Sequence, residues 1–234
     1  MISAARRLRR AVNLLTFSSP VEHVYNPLQY AWRAYEQYVV KYGATPKRVV
    51  FLGMNPGPFG MVQTGVPFGE VKAVRDWLKI VTGIRPPRLQ HPRRPILGFD
   101  CPRSEISGLR LWGLFAKRFR TAEAFFADHF VLNYCPLAFL EETGRNRTPD
   151  KLPDSERAPL LAACDEHLRA AIKLLRPAWV IGIGQFAFGR AQKVLTGGDS
   201  QLGQVLHPSP ANPTANRNWE KVVTGQLVEL GVWP

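Results

Sequence analysis

Three polar residues stand where short apolar runs give way to Pro- and Gly-rich loops: Asn55, Asn133 and His207. Asn55 opens Asn55-Pro56-Gly57-Pro58-Phe59-Gly60-Met61, Asn133 precedes Tyr134-Cys135-Pro136, and His207 opens His207-Pro208-Ser209-Pro210. An amide donates and accepts hydrogen bonds without ionising, so it orients water or reads a ligand edge but takes no proton. An imidazole donates, accepts or changes charge near neutrality. The stretch from Gly53 to Gly69 packs five glycines and three prolines into seventeen residues. Prolines stiffen such a loop and remove donors, while glycines let a ligand approach the backbone. Its length exceeds that of a tight turn, and loops of that length usually carry function. It lacks the Gly-Lys-Ser/Thr ending of a phosphate loop. Singly, each residue also has a plain structural reading: Asn55 as a turn former before Pro, Asn133 as a strand end, His207 as a structural histidine.

The elements that must position these groups show in the hydrophobic pattern. Arg48-Val49-Val50-Phe51-Leu52-Gly53-Met54 is an apolar run bounded by Pro46 and a Gly/Pro cluster, as a strand buried on both faces requires. Segments 130–134, 179–184 and, less strongly, 203–206 have the same character. Helical periodicity covers 71–81, 108–119, 160–175 and 218–230, the last closing at Gly231. Residues 1–44 read as helical, with Leu28, Trp32, Tyr35 and Val39 at spacings of three and four. Strands alternating with helices predict an α/β fold, a three-layer α/β/α sandwich around a central four-stranded parallel sheet. One domain is expected over 1–234, a helical segment at 1–44 followed by an α/β core at 45–234, with 85–95 and 141–154 as surface loops. Ligands of open parallel sheets sit outside the carboxyl ends of the strands, where Asn55, Asn133 and His207 fall.

The charge supplies a partner class. Lys and Arg number 31 against 18 Asp and Glu, a net +13 with pI near 10.2. Such an excess collects polyanions, nucleic acid foremost, although a generically basic surface has the same composition. The run 85–94 and the loop Gly144-Arg145-Asn146-Arg147-Thr148 are candidate phosphate contacts, or simply solvated charged loops. Three widely spaced cysteines without a CxxC pair argue for a reducing compartment and against a thiolate zinc or four-Cys iron–sulfur site, so no metal is expected. No apolar run approaches a membrane span. The basic start Arg6-Arg7-Leu8-Arg9-Arg10 reads as an amphipathic helix rather than an export signal, and a cytoplasmic protein is expected. No Lys stands out as a Schiff-base nucleophile.

The stretch from Gly53 through Asn55-Pro56-Gly57-Pro58-Phe59-Gly60-Met61-Val62-Gln63-Thr64-Gly65-Val66-Pro67-Phe68-Gly69-Glu70 to Val71 closely resembles the first active-site motif of single-strand-selective monofunctional uracil-DNA glycosylases. The stretch His207-Pro208-Ser209-Pro210-Ala211-Asn212-Pro213-Thr214-Ala215-Asn216-Arg217-Asn218-Trp219 is similar to their second motif, and Asn133-Tyr134-Cys135-Pro136-Leu137 lies where that family keeps its pyrimidine-reading Asn. The likeness runs from about Tyr25 to Trp233. It implies a monofunctional glycosylase that removes uracil, with 5-hydroxymethyluracil tolerated and thymine refused, and leaves an abasic site. Asn55 and His207 would be catalytic, the first holding the attacking water and the second donating to the pyrimidine O2. Met54, Gly57, Met61, Phe68 and Asn133 would bind the base, Phe68 by stacking and Asn133 by its edge. Ser209, Pro210, Ala211, Asn212, Asn216 and Arg217 would form a DNA-binding wedge, with Ala211 where many relatives carry Arg. The expected partner is DNA, single- and double-stranded, with no cofactor, no obligate protein partner and a monomeric enzyme. Two alternatives stay open: a glycosylase preferring xanthine or hypoxanthine, and a non-catalytic DNA-binding protein.

Overall fold

Val49–Gly53 (β2) is buried along its whole length, as a strand covered on both faces must be. In the computed structural model, which describes residues 1–234, it lies inside a parallel sheet with His129–Asn133 (β3), Trp179–Ile183 (β6) and Gln201–Val205 (β7). The strand order is β3-β2-β6-β7, and every pairing is parallel. The four expected strands are present.

The helices fall into two packed groups. Gln185–Val194 (α8) lies on β2, β6 and β7, backed by Asp154–Leu175 (α7), which packs on Ile2–Asn13 (α1). The other group joins Trp32–Tyr42 (α3), Ile106–Phe119 (α5), Ala122–Asp128 (α6) and Pro213–Glu229 (α9). Short helices Pro27–Tyr30 (α2) and Met61–Thr64 (α4) complete the set. One apolar cluster extends from Ala5 to Trp233, so both ends of the chain share a core. Its aromatic centre sets Phe51 of β2 against Phe115 and Phe125, whose rings stack at 4.3 Å. Burying each such ring contributes roughly 1.5–3 kcal/mol. No helix is long and apolar enough to cross a membrane, and Cys101, Cys135 and Cys164 are free thiols.

Three expectations need correction. Residues 1–44 are not wholly helical: Val21–Tyr25 (β1) pairs antiparallel with Ala138–Glu141 (β4), which also pairs with Asn146–Arg147 (β5). This second sheet escaped notice because β1 is short and the helical spacing of 28–39 masked it, while β5 lies inside a stretch read as pure loop. Segment 71–81 is helical only as far as Trp77, a short α-helical start at 71–72 running into a π-helical turn, Ala73–Trp77, and Lys79 takes φ +54° beyond its end. The final helix starts at Pro213, with non-helical backbone at Asn218 dividing it from the portion legible in the sequence.

Two buried histidines tie this fold to pH. His129 has Nδ1 3.1 Å from the Phe125 carbonyl, while Trp233 Nε1–H donates to its Nε2 at 3.1 Å. Only a neutral ring with its proton on Nδ1 satisfies both. His167 on α7 is 4% exposed and neither ring nitrogen has a partner. Burial lowers both pKa values from 6.5 to about 4. Between those values the unfolded chain binds more protons than the folded one, so stability falls as pH drops from 6.5 to 4. Thermal melts from pH 4 to 8 should show that decline, and His167→Leu should flatten it and stabilise the protein by about 1 kcal/mol at pH 5. An unchanged slope in this variant would remove His167 from the account.

Candidate active site

The carboxyl ends of β2 and β3 and the loop after β7 enclose a cleft of ≈570 Å³. Met54, Asn55, Gly57, Phe68, Asn133, His207, Ser209 and Pro210 line it, so most of the sequence-derived site converges in one place. A second cleft of ≈480 Å³, beside Tyr25 and Arg85, contains none of these groups. Met61 stands behind the wall, its Sδ 3.3 Å from Asn133 Nδ2.

Strand pairing delivers the two amides. Gly53 is opposite Asn133, and the ladder runs past the strand ends through Tyr134 N–H to Gly53 O (2.9 Å) and Cys135 N–H to Met54 O (2.8 Å). A Cβ on Gly53 would lie 2.5 Å from both Asn133 Oδ1 and Phe68 Cε2, so only glycine lets these side chains meet there. Asn133 is 7% exposed, and its Oδ1 is a buried acceptor without a donor. Behind it, Tyr134 O–H donates to Asp165 at 2.5 Å, and Arg190 pairs with the same carboxylate at 2.6 Å. This half-buried cluster anchors the strand end that presents Asn133.

Asn55 Nδ2 donates to Leu137 O at 3.2 Å, which leaves Oδ1 for the cleft. Asn146 Nδ2 donates to Pro56 O at 3.0 Å, bracing the Asn55 loop from β5. Buried Gln63 stiffens the same loop: Nε2 donates to Pro58 O and Pro95 O, and Oε1 accepts from Leu97 and Gly98 N–H. Phe68 holds φ +52°, a strained conformation for a bulky residue, and its carbonyl accepts from Trp112 Nε1–H at 2.9 Å. Its ring centre lies 6.3 Å from that of His207.

His207 accepts the Ser209 N–H on Nδ1 at 3.1 Å, so the neutral ring carries its proton on Nε2. Burial lowers its pKa to about 4. At neutral pH the cleft therefore holds an uncharged imidazole with one N–H free to donate.

The 207–212 loop and the first turn of α9 are braced by α5 and by each other. Arg110 donates to Pro208 O and to Asn216 Oδ1, each at 2.9 Å, and Asn216 Nδ2 donates to Pro210 O. Asn212 Oδ1 caps α9 by accepting from Thr214 and Ala215 N–H. Ala211 and Arg217 are exposed. In the 144–148 loop, Arg147 is engaged by Glu141 and the Lys151 carbonyl, while Arg145 is exposed.

Five cleft residues escaped the sequence reading: Arg103, Ser104, Glu105, Ile106 and Ser107, while Asn146 and Thr148, read as candidate phosphate contacts, line the cleft itself. Residues 103–107 enter because α5 begins at Ile106 and aims its N-terminus at the cleft, a helix start the sequence marked only near Gly108. Phe59 lies under the guanidinium of Arg103 at 4.2 Å and of Arg94 at 5.4 Å, which brings two cations to the rim. No group of three or more His, Cys, Asp or Glu gathers as metal ligands.

Comparison with known proteins supplies the family. Residues 40–226 match the sequence profile of the uracil DNA glycosylase superfamily, and the chain belongs to that superfamily. The single-strand selective monofunctional uracil-DNA glycosylases of Rattus norvegicus and Bos taurus are each 48% identical to it over 230 residues. The matches cover 97% of this chain and 83% and 85% of the relatives. The crystal structure of wild-type Pedobacter heparinus SMUG2 shares the fold, with a TM-score of 0.68 at 17% identity over 98% of this chain and 97% of that one.

The His207 assignment is testable without any reaction. Nitrogen-15 NMR at pH 7 should show this ring as the Nε2–H tautomer, and its titration should centre near pH 4 rather than 6.5. A midpoint above pH 6 would contradict the buried, neutral ring.

Proposed function

We propose that this protein is a monofunctional uracil-DNA glycosylase of base-excision repair that also removes 5-hydroxymethyluracil, hydrolysing the N-glycosidic bond and leaving an abasic site. The observation that carries this reading is the neutral His207 with a free Nε2–H, facing the same cleft as Phe68 and the unpartnered Oδ1 of Asn133.

The target base must leave the stack, at a cost of a few kcal/mol that is least for single strands. Phe68 then stacks on the ring, worth roughly 1–3 kcal/mol. Asn133 Nδ2 donates to O4 and Oδ1 accepts from N3–H. Cytosine reverses both groups, leaving two mismatched polar contacts at roughly 1–3 kcal/mol each. As the C1′–N1 bond breaks, its electron pair goes to the pyrimidine and negative charge grows on O2. His207 Nε2–H meets that charge, a contact worth roughly 3–4 kcal/mol. The sugar becomes oxocarbenium-like, and water held on Asn55 Oδ1 adds to C1′, its proton passing to solvent. An amide suffices because so strong an electrophile needs an oriented water rather than a deprotonated one. No Lys lines the cleft, which supports a monofunctional reaction without a Schiff base.

The first test is base release from a labelled single strand holding one uracil, followed by alkali, with EDTA present. Wild type should give alkali-dependent cleavage, and Asn55→Ala and His207→Ala should each slow it at least roughly tenfold. Sound DNA binding without release of any damaged base would sink the reading.

The strand preference rests on Ala211, which is exposed and too small to fill the gap left by a flipped base. Single strands should be processed at least about tenfold faster than paired duplex, the equivalent of a modest flipping cost. Ala211→Arg should narrow that ratio. An equal ratio in both proteins would show that this position does not set the preference.

A further inference from the structure

Glu105 borders the cleft immediately before α5, and its carboxyl meets neither a cation nor a hydrogen-bond donor. Oε2 is buried without a partner. The carboxyl fits because two loop residues lack side chains. A Cβ on Gly57 would stand 1.9 Å from Oε1, and one on Gly60 would stand 2.0 Å from Oε2. Gly108 also closes on Oε2, at 3.0 Å from its own Cβ position. An unmet buried polar group is costly, and the same space could be filled by an apolar side chain.

Its place in the site follows from the base orientation proposed above, on which this inference rests. Asn133 Nδ2 addresses O4, and Met61 Sδ lies 3.3 Å from that nitrogen. C5 follows C4 around the ring, so the C5 edge turns to the side of the cleft walled by residues 57–59, with Met61 behind that wall. Glu105 lies against the 57–60 loop and lines the cleft beside Gly57 and Phe59. We propose that the Glu105 carboxyl reads the C5 substituent, exchanging hydrogen bonds with a hydroxyl there and so favouring a hydroxymethylated pyrimidine over a methylated one.

Donor and acceptor counts support this role. A protonated carboxyl offers one O–H donor and one carbonyl acceptor, the complement of an alcohol. A methyl group offers neither and would screen the carboxyl from any other partner. Burial first, then the nearby Glu70, raise the Glu105 pKa from 4.5 to about 7, so the acid form is well populated at neutral pH. Glu70 itself is held by Ser104 Oγ at 3.1 Å and by Ala73 N–H. The other charged group beside it in the cleft lining is Arg103, which lies over Phe59, and His207 is neutral across this range.

The test compares kcat/KM on single-stranded oligonucleotides carrying uracil, 5-hydroxymethyluracil or thymine at one position, for wild type, Glu105→Gln and Glu105→Ala. The readout is the ratio of 5-hydroxymethyluracil to uracil, so general loss of activity is divided out, and thermal melts report folding. The ratio should fall at least about tenfold in Glu105→Ala and less in Glu105→Gln, whose amide also donates and accepts. In wild type it should also change as pH rises from 6 to 9, when the carboxyl loses its O–H donor and becomes acceptor-only, and stay flat in Glu105→Gln. Parallel losses on both bases would reduce Glu105 to loop support and overturn the inference. Wild-type release of uracil without 5-hydroxymethyluracil would overturn it and narrow the proposed function to uracil removal. Failure on uracil itself would remove both.

Discussion

The parallel register that sets Gly53 opposite Asn133 is the constraint on which the cleft depends. It brings two strand ends level, and the backbone hydrogen bonds from Tyr134 and Cys135 carry that alignment into the loops beyond. The missing side chain at Gly53 then allows Asn133 and Phe68 to stand side by side. Phe68 reaches this position with a left-handed backbone, a local cost held in place by the Trp112 contact and the buried segment around it. Displacing Gly53 by one residue would turn its neighbours to opposite faces, because strand side chains alternate.

Burial sets the electrostatics of the same cleft. It lowers the pKa of His207 to about 4 and raises that of Glu105 to about 7, in each case favouring the uncharged form. A neutral donor can stabilise charge that develops on a departing base without holding tightly to an anion beforehand. The formal positive charge sits further out, on Arg103 and Arg94 over Phe59. A polyanion is thus attracted to the rim while the interior remains suited to an uncharged base.

The 207–212 loop and the start of α9 show how few residues must face outward for the rest to matter. Arg110 and Asn216 hold its carbonyls, Asn212 starts α9, and the Ser209 N–H sets the His207 tautomer. Residues whose types suggest contact with nucleic acid therefore also build the frame that aims the imidazole. Ala211 remains at the exposed tip, so the loop is rigid behind a small side chain.

The sequence by itself determined the four parallel strands, because runs such as 48–54 are apolar enough for burial on both faces, and it determined Asn55, Asn133 and His207 as the polar groups at their ends. The motif around Asn55 added Phe68, which no periodicity singles out. Only the tertiary structure decided what surrounds them. The β1-β4-β5 sheet joins segments more than a hundred residues apart, and pairing over that distance leaves no local pattern. Glu105 looks like any charged residue before a helix until Gly57 and Gly60 close over it. Its raised pKa, like the lowered one of His207, arises from desolvation by residues distant in the chain, and burial is a property of the folded whole.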